Sequence, residues 1–580
     1  MSEKQSTKEK DPNVFGVLKP YGWLMAGLLF VALVSNGLNL LLPKLIAADI
    51  DTYTSGHFSY SFAIWEFFLI SLGVFLFAYF QSVAQTYASE KIARNLRNSL
   101  IDKISRQTYS YIQEVTSSKL LTNLTSDIDA IKLFAGQAVV TIIASVFLVL
   151  GGAVFLLTID WRLGLTVLAI LPFIGVAFAL VFSRMGPLFK KSQGVIDWLN
   201  KIINESILAA PLVRVLYSVK TEEKKFLKAN DEALDVGLQV LKLFATIIPI
   251  IGLVANFTTL AILLLGGHFV ITGSMSLGNF TAFISYLGIL IFPIIMIGFM
   301  SSTISRASAS YSRITQTLHA PEKELNGTLT NDIRGEVAMK DVTLTLGEHS
   351  ILKNVTLDIS AGSRTAILGP TAAGKTHLLY LLIGLLSPTS GTVFYDGRPI
   401  DEYEKANLHR QVGFVFQDSI MFNMSVRENI AFSSGVNEAD LKRAIDTAEL
   451  DEFVGNLEKG LDTIVSERGT SLSGGQKQRI MLARALSLNP KVLLLDDFTA
   501  RVDGPTEQKI LGNVMKNYPG ITLISVTQKV SSVEKYDQIV LLMEGEVLAK
   551  GKHEELMHTS PEYVQIFESQ ESTNRYELQA

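Results

Sequence analysis

Cysteine is absent from this chain of 580 residues. Its absence excludes disulfide bonds and metal sites built from thiolates. Charged residues are also few: Asp, Glu, Lys and Arg make up 18% of the chain, whereas hydrophobic residues make up 48%. That balance indicates a membrane protein, and the length is too great for a single domain. The formal net charge of −4 points to no particular charged partner, and we expect no nucleic acid to bind.

Charge is missing altogether from long runs in the first half of the chain. The runs are Tyr21–Pro43, Phe67–Ser89, Leu133–Ile159, Leu163–Ser183 and Leu243–Ser305. Each is long enough to cross about 30 Å of hydrocarbon as a helix, whereas buried helices of soluble proteins rarely run so long without charge. The last run is long enough for two spans, folded back at Ile271–Ser276. The sequence therefore predicts six membrane-spanning helices in a multi-pass protein of the cell membrane, with the lipid bilayer as a partner.

Basic residues between the runs set the expected orientation. Several lysines precede the first span, and segments 90–132 and 184–242 are rich in Lys and Arg, whereas the alternate connections carry few. Because cytoplasmic connections carry the excess of Lys and Arg, we expect both termini and the second half of the chain in the cytoplasm. Met1–Pro12 lacks the pattern of a cleavable signal peptide.

Apolar residues recur every four positions in the first basic segment, at Ile92, Leu96, Leu100 and Ile104. This spacing predicts an amphipathic helix. We therefore expect both basic segments to continue the spans as helices, with turns near 112–127 and 205–214 that contact the second domain.

Turn-forming residues mark the boundary between the two halves. Pro321, Asn326-Gly327 and Asn331-Asp332 predict a linker. We expect an N-terminal tail over 1–12, an all-α transmembrane domain over 13–314 and a linker over 315–334. An α/β domain should follow over 335–570, with a disordered tail over 571–580.

The first motif of the second domain is a glycine-rich loop. After the apolar strand Ala366–Leu368, the sequence matches G-x-x-x-x-G-K-[ST] in full. Such a loop wraps phosphates with backbone N–H groups at a helix N-terminus, so it predicts binding of ATP with Mg²⁺. The residues expected to hold the nucleotide here are Gly369, Pro370, Thr371, Ala372, Ala373, Gly374, Lys375, Thr376 and His377.

Four further motifs follow the loop. Asp496 ends the apolar strand Val492–Leu495, and with Thr376 it is expected to bind Mg²⁺. Gln417 follows another apolar strand, and Asp503 follows Asp496 by seven residues. Taken alone, such residues are more often polar surface residues than site residues. The fourth motif is Leu472-Ser473-Gly474-Gly475-Gln476.

The order of these motifs resembles that of ATP-binding cassette (ABC) ATPases, and residues 13–570 resemble an ABC exporter half-transporter. The resemblance implies an all-α six-helix transmembrane domain with cytoplasmic helical extensions, followed by an α/β P-loop domain. It implies ATP hydrolysis coupled to transport, by a dimer in which the signature Ser473–Gln476 contacts the ATP of the opposite subunit. It also implies that Gln417 senses the metal and that Asp503 lies at the dimer interface.

Several positions depart from the family pattern. The catalytic Glu after the Walker B Asp is Asp497, the switch His is Gln528, and the adenine-stacking aromatic is Leu346. Ala372 stands where Gly is usual, and His377 where Ser or Thr is usual. Because an Asp carboxylate lies about 1–1.5 Å farther from the attacking water, Asp497 should be a poor general base.

The signature motif is intact, whereas positions around the chain's own ATP site are changed. This combination resembles heterodimeric ABC exporters with one degenerate and one competent ATP site. It implies a second half-transporter as partner and a hydrophobic or amphipathic cargo, with multidrug efflux foremost. Transport of a lipid, peptide or siderophore by the same fold remains an alternative. So does an ATP-gated regulatory or structural subunit that hydrolyses little ATP. No residue pattern names the cargo or the partner.

Overall fold

Long helices form the first half of the chain and two sheets organise the second. A computed structural model describes residues 13–169, 171–322, 327–433, 435–466 and 469–577. Its contacts divide the chain into two units. The first comprises Met1–Arg106 and Val115–Pro321, and the second comprises Gln107–Glu114 and Glu322–Ala580.

The first unit is helical because apolar runs interrupted only by short polar turns favour helices. Its helices are α1 (Gly22–Thr54), α2 (Tyr60–Ser105), α3 (Tyr109–Val115), α4 (Ser117–Thr122), α5 (Ile128–Leu133), α6 (Val139–Ile159), α7 (Trp161–Leu168), α8 (Leu171–Leu208), α9 (Ala210–Val215), α10 (Val219–Ala261), α11 (Gly267–Ile271) and α12 (Leu277–Leu318). Single π-helical turns join α4 to α5, α5 to α6 and α10 to α11, so these helices run on without a loop.

Five helical segments in the described part of the chain are long and apolar enough to cross a membrane. They are Val14–Thr54, Tyr60–Ser105, Ser117–Ile159, Pro249–Ile271 and Leu277–Leu318. These segments contain five of the six predicted spans, and the predicted reversal falls between α11 and α12. The remaining prediction, Leu163–Ser183, falls on α7 and α8 and includes Ile170, which lies outside the described residues. That span stays a prediction.

Tertiary contacts in the first unit centre on α12. The hydroxyl of Tyr286 is buried and donates a 2.8 Å hydrogen bond to the carbonyl oxygen of Leu40 on α1. At the start of α12, the N–H of Gly278 donates to Asp51 Oδ1 at 2.8 Å. These bonds use polar groups at positions where water is scarce, so they fix α1 against α12.

The second unit contains two sheets. The smaller has the order β2-β1-β4-β5 and is antiparallel. The larger has the order β10-β9-β3-β8-β7-β6, with β10 antiparallel to β9 and the other pairs parallel. The strands are β1 (Val337–Leu346), β2 (His349–Ile359), β3 (Arg364–Leu368), β4 (Ser390–Tyr395), β5 (Arg398–Pro399), β6 (Val412–Val415), β7 (Val492–Asp496), β8 (Thr522–Thr527), β9 (Gln538–Met543) and β10 (Glu546–Gly551).

Helices connect and cover these strands. They are α13 (Lys375–Leu382), α14 (Lys405–Gln411), α15 (Val426–Ile430), α16 (Glu438–Thr447), α17 (Asp451–Gly455), α18 (Gly474–Leu486), α19 (Gly504–Asn517), α20 (His553–Thr559) and α21 (Pro561–Glu577). The register pairs Leu368 of β3 with Thr527 of β8, and Asp496 of β7 with Val526 of β8. Three strands therefore end side by side, and ligands of parallel α/β sheets bind at such carboxyl ends.

The short segment Gln107–Glu114 belongs with the second unit. Tyr109 packs edge-on against Tyr380 of α13, with ring centroids 5.4 Å apart. Tyr109 lies before the predicted range, so the contact predicted near 112–127 stays a prediction. The contact predicted for 205–214 stays a prediction.

Both predicted non-regular segments differ from the structure at one end. The predicted linker begins inside α12, which continues to Leu318, and the second unit begins at Glu322. Helix α21 continues to Glu577, past the boundary predicted at 570, and the disorder predicted for the tail after Glu571 stays a prediction. Burial of Tyr563 and partial burial of Ile566 and Phe567 hold that helix on the larger core cluster. Residues 578–580 lie outside the described residues.

Candidate nucleotide site

Two glycines shape the loop between β3 and α13. Gly374 has φ +98°, in the left-handed region, and a Cβ there would lie 2.8 Å from Leu352 Cδ2. Gly369 has no such conformation, but a Cβ there would lie only 2.1 Å from the carbonyl oxygen of Leu542. The loop therefore needs glycine at both ends, once for conformation and once for close approach.

Lys375 begins α13 and is buried within the loop. Its ammonium group donates to the carbonyl oxygens of Gly369 and Pro370 at 2.8 and 2.7 Å. Burial lowers the pKa of Lys375, and the nearby carboxylates of Asp497 and Asp496 oppose that shift. A positive charge is thus held where the loop would receive phosphate oxygens.

Thr376 and Asp496 form the part of the site that suits Mg²⁺. The hydroxyl of Thr376 donates to Asp496 Oδ1 at 3.1 Å. Among the described residues, the buried Oδ2 of Asp496 has no hydrogen-bond partner, and burial raises the pKa of this carboxyl to about 6. Mg²⁺ prefers hard oxygen ligands, so a hydroxyl beside an unsatisfied carboxylate fits this ion.

A cavity of about 220 Å³ lies above these residues. Its lining is Thr371, Ala372, Ala373, Gly374, Lys375, Thr376, His377, Gln417, Asp496, Asp497, Val526 and Gln528. Twelve residues from four separate stretches of sequence thus meet at one place. The volume is below the range of roughly 300–1,000 Å³ typical of whole small-molecule sites. The cavity therefore suits the phosphate part of a nucleotide.

Asp497 and Gln528, predicted at the catalytic and switch positions, both line this cavity. Asp497 directly follows β7 with φ +47°, and its N–H donates to the carbonyl oxygen of Val526 at 3.1 Å. Gln528 follows β8 and is exposed. A carboxylate and a neutral amide therefore occupy the positions nearest the end of the phosphate cradle.

Three other predicted residues differ in how closely they belong to the cavity. Gln417 lines it. Asp503 is exposed and caps α19 by accepting a 3.1 Å bond from the N–H of Thr506, which lowers the pKa of its carboxyl. Leu346 ends β1, is 38% exposed and is not part of the lining. The geometry thus joins Gln417 to the phosphate site and leaves the other two predictions untested.

The signature begins α18 in a capping box. Ser473 Oγ accepts from the N–H of Gln476 at 3.2 Å, and Gln476 Oε1 accepts from the N–H of Ser473 at 2.8 Å. Ser473 and Gly474 are exposed. A Cβ on Gly475 would lie 3.0 Å from the carbonyl oxygen of Arg501, so that loop lies close behind the helix start. Ser473–Gln476 are not part of the lining of the cavity.

Sequence reasoning missed the side chains that hold these loops. Gln478 of α18 is buried; it accepts from Ser419 Oγ at 3.3 Å and lies 3.5 Å from the carbonyl oxygen of Gln417. Arg484 donates to the carbonyl oxygens of Asn429 and Ile420 at 2.6 and 3.0 Å, and burial lowers its pKa to about 10. These bonds go largely to backbone atoms, so no pattern of residue types predicts them.

Comparison with known proteins agrees with this geometry. The family described as "ABC transporter transmembrane region" matches residues 25–294, and "ABC transporter" matches residues 352–500. An uncharacterized ABC transporter ATP-binding protein of Bacillus subtilis, YfiB, is 33% identical over 561 residues, covering 95% of this chain and 97% of that protein. An ATP-dependent lipid A-core flippase of Acinetobacter baylyi is 30% identical over 565 residues, covering 95% and 96%.

A third relative is a probable multidrug resistance ABC transporter ATP-binding/permease protein of Bacillus subtilis, YheI. It is 28% identical over 580 residues, covering 96% of this chain and 98% of that protein. Among solved structures, that of a bacterial Atm1-family ABC exporter with ATP bound superposes with a TM-score of 0.77. It covers 96% of this chain and 99% of the other at 22% identity, which shows the same fold.

Proposed function

Because this chain belongs to the ABC transporter family and is built as an exporter half-transporter, we propose that it works as one subunit of a heterodimer. In this proposal its own ATP site binds nucleotide and hydrolyses it slowly. Its signature, Ser473–Gln476, completes the fast site of the partner subunit.

One observation carries the proposal: the cavity retains its binding groups while its two catalytic positions are changed. Lys375, Thr376 and Asp496 lie together as phosphate and metal binding requires. Asp497 and Gln528 line the same cavity. Binding groups act on substrate and transition state alike, whereas a general base acts only during reaction. Retention of the binding groups beside changed catalytic positions supports a site that binds ATP but hydrolyses it slowly.

The chemistry of the cavity follows from its own side chains. Lys375 and the N–H groups of the loop stabilise phosphate charge, and Mg²⁺ held by Thr376, Gln417 and Asp496 would neutralise more of it. Asp497 is one methylene too short to reach the attacking water well, by about 1–1.5 Å. Gln528 can donate a hydrogen bond to the γ-phosphate but carries no positive charge.

The signature would act across the interface. Its capping box fixes Ser473 at the start of α18, where Ser473 and Gly474 are exposed. Donors fixed in this way stabilise charge that develops on a γ-phosphate without having to reorganise. Asp503, which caps α19, would lie at the same interface, and Leu346 would provide an apolar contact for adenine.

We propose a hydrophobic or amphipathic cargo, with multidrug efflux foremost. A relative named for multidrug resistance and one named for lipid A-core flipping both match along nearly the whole chain. Lipid transport is the second candidate on that ground. ATP binding would close the ATPase domains, and the helical extensions of the spans would carry that closure to the cargo pathway.

The test compares the purified chain alone with the chain co-expressed with a second half-transporter that carries the Glu and the switch His. We expect the pair to hydrolyse ATP at ordinary rates of about 1 s⁻¹ or faster and the chain alone to be far slower. Ordinary turnover by the chain alone would refute the heterodimer. A pair that stays slow with every candidate cargo would favour a regulatory subunit.

We also propose that both termini and the ATPase domain are cytoplasmic. The absence of cysteine provides a clean test, because Ser55→Cys creates a single thiol in the turn between α1 and α2. A membrane-impermeant maleimide should label it from outside intact cells, and Ser2→Cys only after lysis. Labelling of Ser55→Cys only after lysis would overturn the orientation.

A further inference from the structure

The C-terminal helix α21 reaches back to the loop that carries Gln528. Gln570 Nε2 donates to the carbonyl oxygen of Gln528 at 2.6 Å. Gln570 Oε1 accepts from the N–H of Val530 at 2.9 Å. One side-chain amide therefore binds the backbone on both sides of Lys529, as a neighbouring strand would.

The helix that carries Gln570 is itself firmly placed. Tyr563 is fully buried, and its hydroxyl lies 2.8 Å from Nδ1 of His553. The ring of His553 also packs against Phe567, with centroids 5.4 Å apart. Ser560 accepts from the N–H of Tyr563 at 3.3 Å at the start of the helix. Gln570 therefore projects from a fixed base one turn beyond Phe567.

A local bond also shapes the loop after β8. The N–H of Lys529 donates to Thr527 Oγ1 at 3.1 Å, which forms a tight local turn. Val530 is buried, so its N–H would be costly to leave without an acceptor. Only a side-chain amide offers a donor and an acceptor side by side in one plane. Gln570 supplies both and so sets the path of residues 528–530.

We propose that Gln570 is a positioning residue for the switch loop. It holds the backbone of Gln528 so that the Gln528 side chain faces the phosphate cavity, and it thereby helps the site distinguish ATP from ADP. Because Gln528 lines that cavity, a shift of its backbone changes how its amide reaches the γ-phosphate. The inference rests on the switch role proposed above for Gln528.

The first experiment measures nucleotide preference. Full-length chain in nanodiscs is loaded with mant-ADP, which is then displaced by AMP-PNP or by ADP. Gln570→Ala should weaken the affinity for AMP-PNP by about 5-fold, the effect of losing roughly one net hydrogen bond. The affinity for ADP should not change. Gln565→Ala, on an exposed position of the same helix, should change neither.

Gln528→Ala separates the two proposals. It should lose the same preference, and adding Gln570→Ala to it should cause no further loss, because one acts through the other. If Gln528→Ala reduces the preference for AMP-PNP but Gln570→Ala does not, the positioning role of Gln570 is wrong, while the switch role of Gln528 stands. If Gln528→Ala changes nothing, the switch role is wrong and the positioning role falls with it.

Hydrogen exchange tests the bond itself. In Gln570→Ala the amide of Val530 should exchange at least about 5-fold faster, while amides of β8 keep their rates. Gln570→Glu retains the acceptor but not the donor, so it should protect Val530 and still lose the preference for AMP-PNP. A purely structural role would not separate these two readouts, and unchanged exchange of Val530 in Gln570→Ala would overturn the proposal.

Discussion

The phosphate cavity and the start of α18 are both helix N-termini suited to binding phosphate, but they differ in the residues that accompany them. Each presents backbone N–H groups at a helix N-terminus, which follows a glycine-rich loop at α13 and itself begins with two glycines at α18. At the cavity, Asp497 and Gln528 are the residues that the proposal places at the positions of a catalytic Glu and a switch His. At α18, the whole signature from Leu472 to Gln476 is retained, and its capping box is formed.

The difference separates binding from hydrolysis. The cavity has a buried ammonium group and a hydroxyl–carboxylate pair, which are groups that bind phosphate and Mg²⁺. In the proposal, the groups replaced are those that act only in the transition state. The signature does not line the cavity of its own chain, which supports the proposal that it acts on a nucleotide held by the partner subunit.

The strongest test breaks the signature. Ser473→Arg removes the hydroxyl that caps α18 and places a bulky charge where the γ-phosphate of the partner's ATP would lie. Loss of such transition-state contacts typically costs about 10²-fold or more, so hydrolysis by the heterodimer should nearly cease. The measurement is steady-state ATPase of the pair in nanodiscs.

Asn437→Arg is the matched control for Ser473→Arg. Asn437 caps α16 in the same way, by accepting from the N–H of Asp440 at 2.8 Å. Its loss should cost only helix stability, with little change in turnover. Asp497→Ala should likewise leave a substantial fraction of the activity. If Asp497→Ala is more damaging than Ser473→Arg, the assignment of fast and slow sites is reversed.

A gain of function would sharpen the comparison from the other side. Asp497→Glu together with Gln528→His restores the family's residues at both changed positions. Because a correctly placed general base is worth roughly 10²–10⁴-fold, ATPase of the chain alone should rise by at least about 10-fold. Asp418→Glu, an equal extension of an exposed carboxylate, should have no effect. No gain would mean that the slow turnover has another cause.

The parts of the fold that sequence reasoning predicted are those that local pattern determines. Charge-free runs located five spans because the bilayer excludes charge over a fixed thickness. The phosphate loop, Gln417 and Asp496 were found because each follows an apolar strand, and parallel strands bring their ends together. Helix α21 was missed because its stability comes from contacts with His553 and the core, far from any local signal.

Residues that act through backbone atoms were also missed. Gln570 binds a carbonyl oxygen and an N–H about 40 residues away. Gln478 and Arg484 likewise bind main-chain atoms near Gln417. Any residue type can supply such atoms, so no pairing of side chains marks the contact. A structure is needed to find them.

The sequence did not predict the backbone conformation of Ala372 either. This conformation leads to the smallest of the expected effects. Ala372 has φ +66° and is exposed in the phosphate loop. A left-handed conformation costs a residue other than glycine about 1–2 kcal/mol. Ala372→Gly removes that cost, although it also loosens the unfolded loop by about 0.4–1 kcal/mol.

The net gain in stability should therefore be at most about 1.6 kcal/mol. Because only the part gained with nucleotide bound strengthens binding, the affinity for ATP should tighten by no more than a few-fold. Displacement of mant-ADP by AMP-PNP from the full-length chain measures it. Ala373→Gly is the matched control, because Ala373 is buried without a positive φ and glycine there only loses packing. Weaker binding in Ala372→Gly would mean that the methyl group itself contacts the nucleotide. The loop would then be adapted to alanine, and the contrast with the intact signature would lie only in Asp497 and Gln528.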